Sequence, residues 1–203
     1  MSDMICVGAD LAPSTLITAY RAGLFPMPHG RKRKDIGWWS PNPRGIIPID
    51  GLHESRTLRR ARKRFVVTHD QQFTEVMRRC GDPRRPHGWI NEPFINAYAM
   101  LHRLGWASST EVVDEAGELV GGVYGVRIDH LFAGESMFHT QVDASKVALV
   151  ALAEVLSTID GALLDIQWTT PHLASLGAVE VERNRYLALV APALARDAPA
   201  FTG

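Results

Sequence analysis

The 203-residue chain is expected to fold as α+β, with a small N-terminal domain over residues 1–64 and a larger domain with a mostly antiparallel sheet over residues 65–203. Three observations predict it. Pro26, Pro28, Gly30, Pro41, Pro43 and Pro48 interrupt the first part too often for long elements. From Phe65 onward the pattern becomes regular, a strand meander followed by helix, strand and helix. Finally, two acidic segments sit one helix apart within runs that otherwise read as buried strands: Ala133-Gly134-Glu135-Ser136-Met137-Phe138 and Leu163-Leu164-Asp165-Ile166-Gln167.

Leu16, Ile17 and Tyr20 at helical spacing predict a short helix from Pro13 to Arg21, with Ser14 as a cap and Gly23 as a stop. A short strand fits Gly45 to Ile49, and Arg56 to Arg64 reads as a basic helix closing the first domain. A strand is then expected at Phe65 to Thr68, followed by helices near Gln71 to Cys80 and Glu92 to Leu104. Strands at Ser109 to Asp114, Leu119 to Ile128 and His130 to Phe138 are joined by the turns Glu115-Ala116-Gly117 and Asp129-His130, the sign of antiparallel hairpins. Val147, Leu149, Val150, Leu152, Ala153 and Leu156 give the run Asp143 to Leu156 a wide apolar helical face. Ala162 to Trp168 returns to strand, and short helices at Leu173 to Leu176 and Arg183 to Val190 flank a strand at Val179 to Val181. Gly121-Gly122 and Gly125 inside a strand mark a bulge or a close backbone approach rather than a phosphate loop.

Composition excludes several classes. Charged residues at 22% and hydrophobic ones at 46% describe a globular chain, not a disordered one. No apolar run approaches the roughly 20 residues that span a bilayer. Cys6 and Cys80 have no metal or redox spacing and the start lacks the regions of a signal peptide, so a cytoplasmic location is expected. The net charge of +0 hides an uneven distribution, because basic residues concentrate before Arg85. No amphipathic seam is left over, and a monomer is expected.

Arg56, Arg59, Arg60, Lys63 and Arg64 would share an arc of about 140° if helical, with Leu58, Ala61 and Phe65 opposite. Such a face is either solvated or neutralised by an anion, and phosphodiester backbones are the commonest such anion. Trp38, Trp39 and Trp89 are candidates for stacking on exposed bases, or for the core. Glu135 and Asp165 either pair with Arg127 or Lys146 to hold sheet to helix, or point into one pocket, since strands flanking a crossover helix often lie side by side. Gln167, two residues after Asp165, projects from the same face and can both donate and accept. Ser136 lies outside any nucleophile elbow, and the scattered histidines predict no metal site.

Taken in order, the motifs resemble the bacterial leucyl/phenylalanyl-tRNA-protein transferases. The matching segments are Ala19-Tyr20-Arg21-Ala22-Gly23-Leu24-Phe25-Pro26, Trp38-Trp39-Ser40-Pro41-Asn42-Pro43-Arg44, His53-Glu54-Ser55-Arg56, Trp89-Ile90 and Ala97-Tyr98. They continue through Leu119 to Val126, Gly134 to Phe138, Ala144-Ser145-Lys146 and Leu173 to Ala178. Met27 departs from the pattern, standing where a tryptophan is frequent, and Arg31 to Lys34 lengthen the loop before the tryptophan pair.

The resemblance implies transfer of leucine or phenylalanine, less readily methionine, from aminoacyl-tRNA to proteins with N-terminal arginine or lysine, marking them for degradation. It also implies that the second domain is GNAT-like, similar to the acyl-CoA N-acyltransferases. No Arg/Gln-x-x-Gly-x-Gly/Ala string occurs, so coenzyme A is disfavoured and no cofactor is expected. By the same resemblance, Asp165 and Gln167 would orient the attacking amine and relay its proton, with Glu135 holding Gln167 or the incoming cationic residue. Trp38, Trp39, Trp89, Tyr98, Val123 and Leu152 are expected around the leucyl or phenylalanyl side chain, together with Ser136 of the matched acidic segment. Tyr20 would stack on the terminal adenine, and Arg56, Arg60, Lys63 and Arg64 would hold acceptor-stem phosphates. A small-molecule N-acyltransferase with a non-tRNA donor and a non-catalytic RNA-binding adaptor are the alternatives.

Overall fold

A computed structural model describes residues 3–30, 34–85 and 89–196. In the N-terminal part, strands β1 (Met4–Val7), β2 (Phe25–His29) and β3 (Asp35–Trp39) form a three-stranded antiparallel sheet in the order β1-β3-β2, with helix α1 (Pro13–Arg21) beside it. The strands here are only four or five residues long, in keeping with the prolines that punctuate the region. β2 is an edge strand that pairs only with β3, and Pro26 and Pro28 are two apart, so their missing N–H groups fall on one side of the strand.

Sheet membership changes between Trp39 and Arg44. Strand β4 (Arg44–Ile47) already belongs to a seven-stranded sheet. There follow α2 (Arg56–Arg62), β5 (Val66–His69), α3 (Phe73–Cys80), α4 (Glu92–Arg103), β6 (Ala107–Val113), β7 (Leu119–Ile128) and β8 (Leu131–His139). The last described elements are α5 (Ala144–Ser157), β9 (Leu163–Gln167), α6 (Pro171–Ala174), β10 (Val179–Val181) and α7 (Arg183–Ala193). The sheet order is β10-β4-β9-β8-β7-β6-β5, antiparallel throughout except for β8 and β9. Those two are parallel because α5 carries the chain back across the sheet.

Turn chemistry fixes the hairpins. Between β6 and β7 the Asp114 carboxylate accepts from the backbone N–H groups of Ala116 (3.1 Å) and Glu118 (3.0 Å), while Gly117 takes φ +81°. The glycines of β7 admit its neighbours: a Cβ on Gly121 would lie 2.6 Å from the Ala144 Cβ, and one on Gly125 would lie 2.3 Å from the Ala133 carbonyl oxygen. Leu16, Tyr20, Val76, Met77, Tyr98 and Leu101 belong to one apolar cluster, from α1, α3 and α4; Leu58 of α2 and Val147, Leu152 and Leu156 of α5 belong to a second. A third, around Tyr186 and Val190 of α7, seals the β4–β9 end.

Candidate active site in the wedge between β8 and β9

The parallel pairing of β8 and β9 stops early. Leu131, Phe132 and Ala133 face Leu163, Leu164 and Asp165, after which β8 runs on to His139 paired only to β7, and β9 to Gln167 paired only to β4. A bulge lies on each strand at this point. Gly125 pairs with Gly134 and Tyr124 with Ser136, leaving Glu135 as the extra residue of β8; Gly45 pairs with Gln167 and Ile46 with Asp165, leaving Ile166 extra on β9. Bulges re-aim side chains, and here both turn theirs at the point where the strands part.

Glu135 is partly buried and held by two tyrosines. The Tyr20 hydroxyl of α1 lies 2.7 Å from Oε1, the Tyr98 hydroxyl of α4 lies 3.3 Å from Oε2, and the two hydroxyls contact each other; the two phenolic protons serve two of these three hydrogen bonds, and the protonated carboxyl supplies the third. Loss of water around the carboxyl outweighs these two bonds and pushes it up to about 8.

Asp165, fully buried, has a different setting. Arg44, 1% exposed, donates Nε to Oδ1 at 2.7 Å and Nη2 to Oδ2 at 2.5 Å. The Tyr186 hydroxyl donates to Oδ2 at 2.9 Å, and the Gln167 backbone N–H to Oδ1 at 3.0 Å. The Arg44 guanidinium lies 4.9 Å from the Phe25 ring and 4.4 Å from the Tyr186 ring, and its Nη1 donates to the Gly23 carbonyl at 3.1 Å. Burial works against the Arg44 charge, but the Asp165 carboxylate more than offsets it and holds the guanidinium above its ordinary value. The cation beside Asp165 is thus neither Arg127 nor Lys146; the latter pairs with Asp143 at 3.2 Å.

Gln167 closes the wedge with φ +57°, the left-handed region that a non-glycine residue enters at a cost. Its Nε2 is buried and has no hydrogen-bond partner among the described residues. An orphaned amide of this kind costs roughly 1–3 kcal/mol and calls for a ligand or a role.

Two cavities meet here, sharing Glu135, Ile166, Gln167 and Leu173 as walls. The first, about 100 Å³, is lined by Val123, Met137, Leu149, Leu152 and Leu164 among others, apolar except at the Glu135–Ser136 and Gln167 end. The second, about 220 Å³, is bounded by Phe25, Met27, Trp89 and Trp168. Among the expected substrate contacts, Val123, Ser136 and Leu152 line the first cavity and Trp89 the second. Others lie away from these two cavities. Tyr20 is 1% exposed and spends its hydroxyl on Glu135, so its ring has no open face for a base. Tyr98 is likewise buried against Glu135 and Tyr124. Trp38 is buried, donates Nε1 to the Gly8 carbonyl at 2.9 Å and borders a separate groove along α1. Trp39 is partly buried, edge-on to Trp168 with ring centroids 6.2 Å apart. Sequence reasoning missed Arg44, Tyr186 and Trp168.

The family model described as leucyl/phenylalanyl-tRNA protein transferase matches residues 46–191, and the model of that protein's N-terminal domain matches residues 9–42. The chain belongs to this family. A relative from Tolumonas auensis bearing the family's name is 43% identical over 97% of this chain and 85% of its own length. Those from Syntrophobacter fumaroxidans and Cereibacter sphaeroides are each 46% identical, over 93% of this chain and 81% and 87% of theirs.

For a member of the leucyl/phenylalanyl-tRNA protein transferase family, a cationic surface is the remaining feature to place. α2 is capped by Ser55, whose Oγ accepts from the Leu58 N–H at 3.1 Å, and it packs Leu58 and Ala61 inward against α5. The helix stops at Arg62, with Lys63 as its αR C-cap and Arg64 in the turn that follows, its N–H bonded back to the Ala61 carbonyl at 3.1 Å. Arg56, Arg60, Lys63 and Arg64 are all exposed. Arg59 pairs with Glu54 at 3.0 Å, Arg62 pairs with Glu154, and the Arg64 guanidinium lies 5.5 Å from the centre of the Phe65 ring. Arg31 to Arg33 lie outside the described residues. Helix α5, on which α2 rests, contributes Leu149 and Leu152 to the first cavity, so one helix backs both the basic face and the wedge.

Proposed function

We propose that the protein moves a leucyl or phenylalanyl group from aminoacyl-tRNA to the N-terminal amine of a protein that begins with arginine or lysine. Family membership supplies the reaction. The observation that carries the site assignment is the apolar cavity of Val123, Met137, Leu149, Leu152 and Leu164, closed at its polar end by Glu135 and the unpartnered Gln167 amide. An unbranched-at-Cβ apolar side chain suits such walls, although a methyl group more or less is worth only about 1–3 kcal/mol.

In this reading the donor side chain occupies the first cavity and its ester carbonyl lies at the wedge. The acceptor amine attacks that carbonyl, a C–N bond forms, the C–O bond to the ribose breaks, and the proton lost by nitrogen ends on the leaving ribose oxygen. Free α-amines titrate near 7.7–8.0, so a useful fraction is neutral at neutral pH and positioning supplies most of the rate. Gln167 bonds the reacting groups through its side-chain amide. Glu135 faces the cationic side chain of the acceptor, which favours its charged form; beside a neutral side chain the carboxyl stays protonated and that ion pair is forgone. The second cavity, with Trp89 and Trp168, takes the terminal base by stacking. Arg56, Arg60, Lys63 and Arg64 contact phosphates without reading sequence. The protein acts as a monomer in the cytoplasm; no helix among its described residues is long and apolar enough to cross a membrane.

The test is incubation with leucyl-tRNA and an arginine-starting peptide. A mass gain of one leucine residue, abolished by prior ribonuclease treatment of the tRNA, is expected; no gain, or a gain indifferent to ribonuclease, contradicts the reading. Changing Arg60 and Arg64 to alanine together should lower the slope of log affinity for tRNA against log salt by about 1.4–1.8. An unchanged slope would remove α2 from the tRNA interface.

A further inference from the structure

Asp165 is not free to handle a proton. A carboxylate offers about four lone-pair sites, and here all four are filled: Oδ1 by Arg44 Nε and the Gln167 backbone N–H, Oδ2 by Arg44 Nη2 and the Tyr186 hydroxyl. It contributes no wall to either cavity, whereas Gln167 lines both. What Asp165 does reach is the backbone of Gln167, at the residue whose φ of +57° turns the chain. The turn is tight: the Trp168 N–H bonds back to the Ile166 carbonyl at 2.7 Å, and a Cβ on Gly45, the register partner of Gln167, would come within 3.0 Å of Thr169 N and Trp168 C.

We infer that Arg44 and Tyr186 are positioning residues for the transfer reaction: they clamp the Asp165 carboxylate so that its Oδ1 holds the Gln167 N–H, and this sets the direction in which the Gln167 side-chain amide enters the cavity. The inference rests on the transferase reading above. Three elements far apart in sequence meet in the clamp, β4 through Arg44, β9 through Asp165 and α7 through Tyr186. The Gly23 carbonyl ties it to the turn after α1, the helix that carries Tyr20 to Glu135. The two acidic segments thus share a frame, one supporting a side chain and the other a backbone. The clamp also assigns the departing proton to groups at the cavity, Glu135, the Gln167 carbonyl or the ribose oxygen itself, and withdraws Asp165 from the relay.

The first variant is Tyr186→Phe, which keeps the ring over Arg44 and removes only the hydroxyl donor. Single-turnover transfer should fall roughly tenfold, with KM for leucyl-tRNA and the thermal midpoint little changed. The backbone amide signal of Gln167 in 15N-glutamine-labelled protein should shift, a readout independent of activity. The second is a neutral exchange. Arg44→Gln combined with Asp165→Asn leaves an amide oxygen to accept the Gln167 N–H and no unpaired buried charge, so the pair should be several-fold more active than either single change. Full activity and an unmoved Gln167 signal in Tyr186→Phe would overturn the inference. So would a folded double variant as inactive as Asp165→Asn, because the carboxylate itself would then be the proton acceptor. If the double variant does not fold, Tyr186→Phe decides alone. Wild-type protein in the same assay separates the two readings: failure there sinks the transferase reading, whereas failure of the variants to differ sinks only the clamp.

Discussion

Glu135 and Asp165 sit on adjacent strands beside one cavity system, yet their surroundings are opposite. Asp165 has a full complement of donors, two of them from a guanidinium that is itself sandwiched between rings. Glu135 has only two phenolic donors and no cation in contact among the described residues, and its carboxyl is pushed up to about 8. Environments that separate two acids in this way assign them different work. One is a fixed strut whose charge is already answered. The other is poised to change its charge, or its partner, when a cation arrives.

The largest effect should come from breaking the strut. Arg44→Met leaves Asp165 buried without its cation and should destabilise the protein by about 3–5 kcal/mol in urea unfolding. A loss below about 1 kcal/mol would mean that water reaches Asp165 and that the contrast with Glu135 is overstated. Glu135→Gln should act in the other direction and depend on pH. Burial raises the folded-state value of Glu135 to about 8, so the folded form retains a proton that the unfolded chain has given up above about 4.5. Its contribution to stability is therefore lost progressively as pH rises from about 4.5 to 8. The glutamine variant, free of this titration, should be little different from wild type at pH 5 and more stable at pH 9, by on the order of 2 kcal/mol. A difference that does not grow with pH would show that the carboxyl is not held in an unfavourable charged state. The smallest expected effect belongs to Tyr98→Phe. It removes one of the donors that favour the charged form, and the midpoint of the Glu135 titration should rise by less than about one unit. A downward shift would contradict the assigned hydrogen bond.

Much of this layout was legible in sequence. The alternation and turns after Phe65 gave the meander, and the apolar face of 143–156 gave the crossover helix, from which adjacency of the two acidic strands followed. The glycines at 121, 122 and 125 read correctly as close approaches, since a bulge and the N-terminus of α5 both press on β7. The N-terminal sheet was hidden because prolines on an edge strand look like breakers until the strand order is known. Arg44 was hidden more deeply. It stands in the proline-rich segment Ser40 to Pro48 and is 121 residues from its partner, and no local periodicity joins such a pair. Tyr20 was expected to stack on a base and Tyr98 to line an apolar pocket, whereas their hydroxyls, 78 positions apart in sequence, converge on the Glu135 carboxyl, a meeting that no local pattern shows.

The contrast between the two acids is tested most directly by following the Glu135 side-chain carboxyl carbon by NMR from pH 5 to 10, alone and with an arginine-starting peptide. The account predicts a midpoint near 8 in the free protein and a downward shift when the cationic peptide binds, with no such shift for a peptide that begins with a neutral residue. A midpoint in the ordinary glutamate range, or indifference to the arginine peptide, would contradict it.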